Sequence, residues 1–170
     1  MENKNNSKNL FELIQNSVVS AIALHAFTVG YNSTAKRQKS LRKYPKLEYL
    51  FYVLPIVYHQ RSLNTFLISF SVRRVLEKDH SITLGLQDRA VKMINQTYDG
   101  LNVAFSKNIL SLNKENMTIE LMYDNGKGLP LPQSMINDDL LKIQRSARNL
   151  GSIFSKTNER NIQTYLNIRF

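Results

Sequence analysis

From Leu10 onward the apolar positions Leu13, Ile14, Val18, Ala21, Ile22 and Phe27 recur at three- and four-residue steps. That spacing lines one helical face and predicts an amphipathic helix, to which Gly30 and Asn32 offer a stop. The stretch from Asn32 to Pro45 holds few large apolar residues and reads as a solvated loop. Apolar density returns from Leu47 to His59, where Pro55 predicts a helix that kinks or ends. An extended or turn segment is expected from there to about Ser69. Ser71 can cap a short helix through Lys78, which Asp79, His80 and Ser81 then break. Leu86, Ala90, Met93, Ile94, Leu101, Ala104 and Phe105 predict a longer helix, weakened locally by Gly100.

The pattern then changes. Ile109 to Leu112 and Met117 to Tyr123 are short β-prone runs joined by the polar turn Asn113 to Asn116, the form of a β-hairpin. Asp124 to Gly128 is turn-rich, and Pro130 and Pro132 hold the next residues out of helix. A last substantial helix is expected from near Asn137, carried by Leu140, Ile143, Ala147, Leu150 and Phe154, with a short helical or extended tail to Phe170. The expected class is mainly α with one small β-hairpin (α+β), a helical domain with a winged-helix-like core, because helices precede a hairpin. The polar run Met1 to Asn9 reads as a flexible tail, and residues 10–170 as a single domain.

Composition narrows the function. At 170 residues the chain suffices for one ordinary domain, and 42% hydrophobic against 21% charged residues is globular usage rather than that of a disordered chain. The lack of cysteine excludes a disulfide framework, a thiolate nucleophile and a thiolate zinc site, and suits a reducing cytoplasm. Val18 to Tyr31 and Leu47 to Tyr58 fall short of the roughly 20 residues that span a bilayer, so core helices and no membrane partner are expected. Lys and Arg number 23 against 13 Asp and Glu, a formal net charge of +10. Such a field favours polyanions or an acidic protein surface without choosing between them.

The densest basic cluster is Lys36, Arg37, Lys39, Arg42, Lys43 and Lys46, flanked by Tyr31 and Tyr44. A phosphate backbone would bind it by counterion release, and a solvated or protein-docking loop would look the same. Arg73 and Arg74 open a helix in the winged-helix-like region, where a salt bridge to Glu77 is the simpler reading. Lys142, Arg145 and Arg148 form a third stripe, along the last helix, for which a solvent face suffices. His25, His59 and His80 lie far apart and near no acidic pair at metal-ligand spacing, and the HExxH, Walker and GxSxG patterns are missing. His25, on an apolar helix, reads as a satisfied core residue. The run Ile119 to Pro130 looks like the strand and DxGxG box of the histidine-kinase and gyrase ATP-binding fold. Asp138 to Gly151, where the phosphate lid should follow, contains a single glycine, so a hairpin exit turn explains the run better. No catalytic residue, cofactor or metal ligand is expected.

The order of three segments resembles a known family. Phe27-Thr28-Val29-Gly30-Tyr31 ends the first helix, Leu50 to His59 contains Leu54-Pro55 and a histidine, and Arg145-Ser146-Ala147-Arg148-Asn149-Leu150-Gly151 precedes Phe154. Together they look like the middle component of bacterial three-component ABC systems, the group to which the small accessory subunit of Lamassu defence systems belongs. The similarity runs from about Leu10 to Phe170, with Gly30, Tyr31, Leu54, Pro55, His59, Leu150 and Gly151 as its motif residues. The family often continues after the histidine with lysine and a Thr-Arg pair, where this chain has Gln60-Arg61-Ser62. The resemblance implies a non-catalytic, cytoplasmic adaptor in an anti-phage or anti-plasmid complex. Its partners would be SMC-like or Rad50-like ATPase subunits and a nuclease-type effector, with non-specific contact to double-stranded DNA. The rival reading is a stand-alone winged-helix DNA-binding regulator.

Overall fold

The computed structural model describes residues 16–124, 129–131 and 137–168. The expected tail at 1–9, the start of the first helix at Leu10, the turn residues 125–128 and Pro132 lie outside them.

Helix α1 spans Ser17–Arg37, capped by the Asn16 side chain, which accepts from the Val18 N–H at 2.8 Å. Every residue from Val19 to Asn32 is buried, so α1 is not amphipathic but the central rod of the fold, enclosed on all faces. It does not stop at Gly30 or Asn32: Gly30 serves close helix approach rather than termination, and helix continues through half of the expected loop. α1 packs most extensively against α8 (Asp138–Ser155) and next against α7 (Ile94–Ser106).

Between them the chain forms α2 (Leu47–Leu50), α3 (Val53–Val57), α4 (Gln60–Ile68), α5 (Val72–Lys78), a 3-10 turn at His80–Thr83, and α6 (Leu86–Lys92). Pro55 sits in the first turn of α3, where its missing N–H is harmless. A continuous helix would need that N–H for the Phe51 carbonyl, and the helix breaks at Phe51–Tyr52 rather than at the proline. The extended segment expected to Ser69 is instead α4. Its cap is His59, whose Nδ1 accepts from the Ser62 N–H at 3.4 Å, a role that usually falls to Ser, Thr, Asp or Asn. The long helix expected from Leu86 divides at Met93, not at Gly100; Gly100 is buried against α1, where an added Cβ would lie 2.7 Å from that of Ser20. Ser71 and Asn137 cap α5 and α8 as their sequence positions suggest, accepting from the Arg74 and Leu140 N–H groups.

β1 (Leu110–Asn113) and β2 (Thr118–Leu121) pair antiparallel, with Leu110 opposite Leu121 and Asn113 opposite Thr118. The hairpin is tied to the segment before α2: Ile119 N–H donates to the Pro45 carbonyl at 2.9 Å and Leu47 N–H to the Met117 carbonyl at 2.8 Å. The last helix, α9, covers Glu159–Leu166. Among the described residues the class is mainly helical with one antiparallel hairpin.

Where α1, α2 and α8 converge, aromatic rings fill the core. Phe154 meets Phe27, Tyr49 and Tyr52 edge-on, with centroids 5.5, 5.7 and 5.6 Å apart. Burial pushes the Tyr49 and Tyr52 hydroxyls up to about 12, so both remain neutral. Among the described residues no helix is long and apolar enough to cross a membrane.

Candidate functional site

The three sequence segments that stand out meet in space. A Cβ on Gly30 would lie 1.9 Å from the Arg148 carbonyl oxygen, and one on Gly151 would lie 2.0 Å from the Phe27 carbonyl oxygen. Only glycine lets α1 and α8 approach that closely. Leu150 is buried beside this crossing and Tyr31 packs on Phe27 and Tyr49. Two polar members of the Arg145–Gly151 run reach the α4 segment: Ser146 Oγ donates to the Leu63 carbonyl, and Asn149 Nδ2 to those of Phe66 and Ser69. Of these carbonyls, that of Phe66 lies in the last turn of α4, which leaves it without a helical partner. Leu54 and Pro55 are buried in α3, and His59 starts α4. Burial, with Arg89 and Arg61 nearby, holds the His59 imidazole below its ordinary value.

The six-residue basic cluster divides. Lys36 and Arg37 form the last turn of α1, where cations suit the helix dipole. Lys36 pairs with Asp124 at 3.5 Å and Lys46 with Glu159 at 2.7 Å. Among the described residues Arg37, Lys39, Arg42 and Lys43 have no ion-pair partner, and all four are exposed. Arg73 makes the expected i,i+4 pair with Glu77 at 2.9 Å on an exposed face. Arg74 borders a cleft with Ile68 and Phe70. Lys142 and Arg145 are exposed on α8 and Arg148 is half-buried. The three groups line different clefts: Lys142 one with Val57, Tyr58 and Asp139, Arg74 the one with Ile68 and Phe70, and Lys36, Lys39 and Lys43 one with Leu41.

His25 is fully buried, and its Nε2 donates to the Tyr123 carbonyl at 2.8 Å, which places the proton on that nitrogen. Its Nδ1 has no hydrogen-bond partner among the described residues, so the expected satisfied histidine is satisfied on one side only. Desolvation lowers its pKa, against the opposing pull of the Tyr123 carbonyl and Asp124. Asp124, the aspartate of the DxGxG-like box, is the partner of Lys36, and the glycines that follow it lie outside the described residues.

A family model described as ABC-three component (ABC-3C) system Middle Component 3 matches residues 4–170. The chain belongs to this family. No curated protein and no solved structure matches it. As a component of a three-component ABC system, this middle component has partners within that system.

Two features of the middle component leave little trace in the sequence. Arg89 reaches from α6 to three carbonyls, those of Leu84, Ile82 and Pro55, at 3.1, 3.2 and 3.4 Å, and so joins α3 to the 3-10 turn. Leu41 stands fully exposed in the basic loop. Its one sequence signal is its isolation, as the single large aliphatic between Ala35 and Leu47.

Proposed function

We propose that this middle component is a non-catalytic adaptor of an anti-phage or anti-plasmid complex of the Lamassu kind. It braces an SMC-like, Rad50-like ATPase and tethers or restrains a nuclease-type effector until foreign DNA is sensed. The observation that carries the reading is the family match, which extends over nearly the whole chain. The motif residues add support, because Gly30 and Gly151 let α1 and α8 meet, Leu54 and Pro55 are buried in α3 and His59 caps α4, structural roles that suit a scaffold. In this reading the hairpin and the helices before it supply the winged-helix-like core, a module that serves protein contacts as readily as DNA contacts.

The test is affinity purification of the tagged chain, expressed with its neighbouring genes, and mass spectrometry of what it retains at moderate salt. Co-recovery of an ATPase and an effector in fixed ratio is expected. Recovery of the chain alone would overturn the adaptor role and favour a free-standing DNA-binding regulator, recognisable by sequence preference of roughly 10³-fold or more.

A further inference from the structure

The loop that follows α1 is built to hold one conformation. Lys39 N–H donates to the Lys36 carbonyl at 3.1 Å and Ser40 N–H to the Ala35 carbonyl at 2.9 Å, with Lys39 at φ 54°, the arrangement that closes a helix through a left-handed residue. Beyond that turn, Ser40 Oγ donates to the Arg42 carbonyl at 3.3 Å. Buried Asn32 reaches out of α1 to donate its Nδ2 to the Lys43 carbonyl at 3.0 Å. At the far end the Pro45 carbonyl accepts from Ile119. The loop is therefore fixed at its start, middle and end.

What it presents is an apolar side chain ringed by cations. Leu41 is fully exposed, at 103% of its reference area, and Arg37, Lys39, Arg42 and Lys43 surround it in sequence without ion-pair partners among the described residues. A phosphate backbone would use the cations and leave the leucine in water. A protein surface with an apolar pocket inside an acidic rim would use both: the pocket supplies the buried centre and the rim the steering charge. A fixed loop loses little conformational entropy on docking, which favours such a contact.

We infer that the Gln38–Pro45 loop docks, with Leu41 as its anchor, into an acidic-rimmed apolar pocket on another protein component of the complex. This rests on the adaptor reading above and names the surface through which it acts. In the test, the tagged chain is co-expressed with its neighbouring genes as wild type, Leu41→Asp, and Lys39→Glu/Arg42→Glu/Lys43→Glu. The melting temperature of each purified chain is recorded, and each is titrated with a short random-sequence DNA duplex. Leu41 is fully exposed, so Leu41→Asp is expected to melt as wild type does. Its retention of the partner should fall about tenfold or more, and that of the charge reversal at least as far. Wild-type retention by Leu41→Asp would overturn the docking surface and leave the adaptor reading intact. A charge reversal that loses duplex binding but keeps its partners would overturn it in favour of a nucleic-acid contact. Failure of the wild-type chain itself to retain a partner would overturn both readings.

Discussion

Gly30 on α1 and Gly151 on α8 face each other's helices across one crossing, each so close to the opposite backbone that a methyl group would sit about as far from a carbonyl oxygen as a hydrogen-bonded proton does. Alanine at either position should force the two helices apart, although alanine alone favours a helix by about 1 kcal/mol. A net loss of roughly 1–2 kcal/mol is expected in urea unfolding for each substitution, from overpacking against backbone that cannot yield. The double substitution should cost less than the sum, since the first already separates the helices.

Phe154 should be the costliest aromatic to remove, because three rings lean on it. Phe154→Ala is expected to lower unfolding free energy by about 3–5 kcal/mol. Phe154→Leu, which keeps most of the volume, should cost visibly less in the same denaturant series.

The ion pairs of the basic cluster should behave as surface pairs. Lys36 and Asp124, and Lys46 and Glu159, are all partly exposed, and screening leaves such pairs about 0–1 kcal/mol. Glu159→Gln and Asp124→Asn should shift the melting temperature little, and what shift there is should vanish in high salt. A large, salt-independent loss would mean that either pair is structural.

Lys39 occupies a left-handed backbone position that glycine adopts without strain. Lys39→Gly should raise stability by about 1 kcal/mol, read as a higher denaturation midpoint with an unchanged slope. If the loop docks as inferred, that stabilised variant should also hold its partner less well, having lost a rim cation.

Protonation provides a separate check on the interior. Burial lowers the His25 pKa from its ordinary 6.5, so the fold holds the neutral ring and the unfolded chain takes up the proton first. The stability that His25 contributes is complete above pH 6.5. It is lost as pH falls below that value and levels off once the folded pKa is passed, with a slope of at most about 1.4 kcal/mol per pH unit. His59, more exposed and lowered by burial and by Arg89 and Arg61, acts in the same direction. Urea unfolding at pH 7.5 and 5.5 should show the decline, and nitrogen NMR should find the His25 proton on Nε2. A flat profile across that window would contradict the buried, neutral assignment.

Much of this fold is written in local chemistry. Ser71 and Asn137 are ordinary capping residues before apolar-periodic runs, and the hairpin turn is polar between β-prone segments, so α5, α8 and the hairpin are legible from sequence. The misread elements are those where tertiary contact decides. Gly30 has the composition of a stop, and only the partner helix α8 reveals it as a contact. α1 is enclosed on every face, which erases the polar stripe that an amphipathic reading looks for. α4 starts on a histidine cap that capping preferences do not rank. At the candidate site, Arg73 and Glu77 were within reach of local reasoning because they lie one helical turn apart. The partners of Lys36 and Lys46 lie 88 and 113 positions away, where sequence spacing says nothing.

The central claim is that this chain holds two other components together, and the direct measurement removes it. With the tag moved to the ATPase and the neighbouring genes expressed with and without this one, the effector should co-purify with the ATPase only when the middle component is present. Equal recovery of the effector in its absence would contradict the adaptor account.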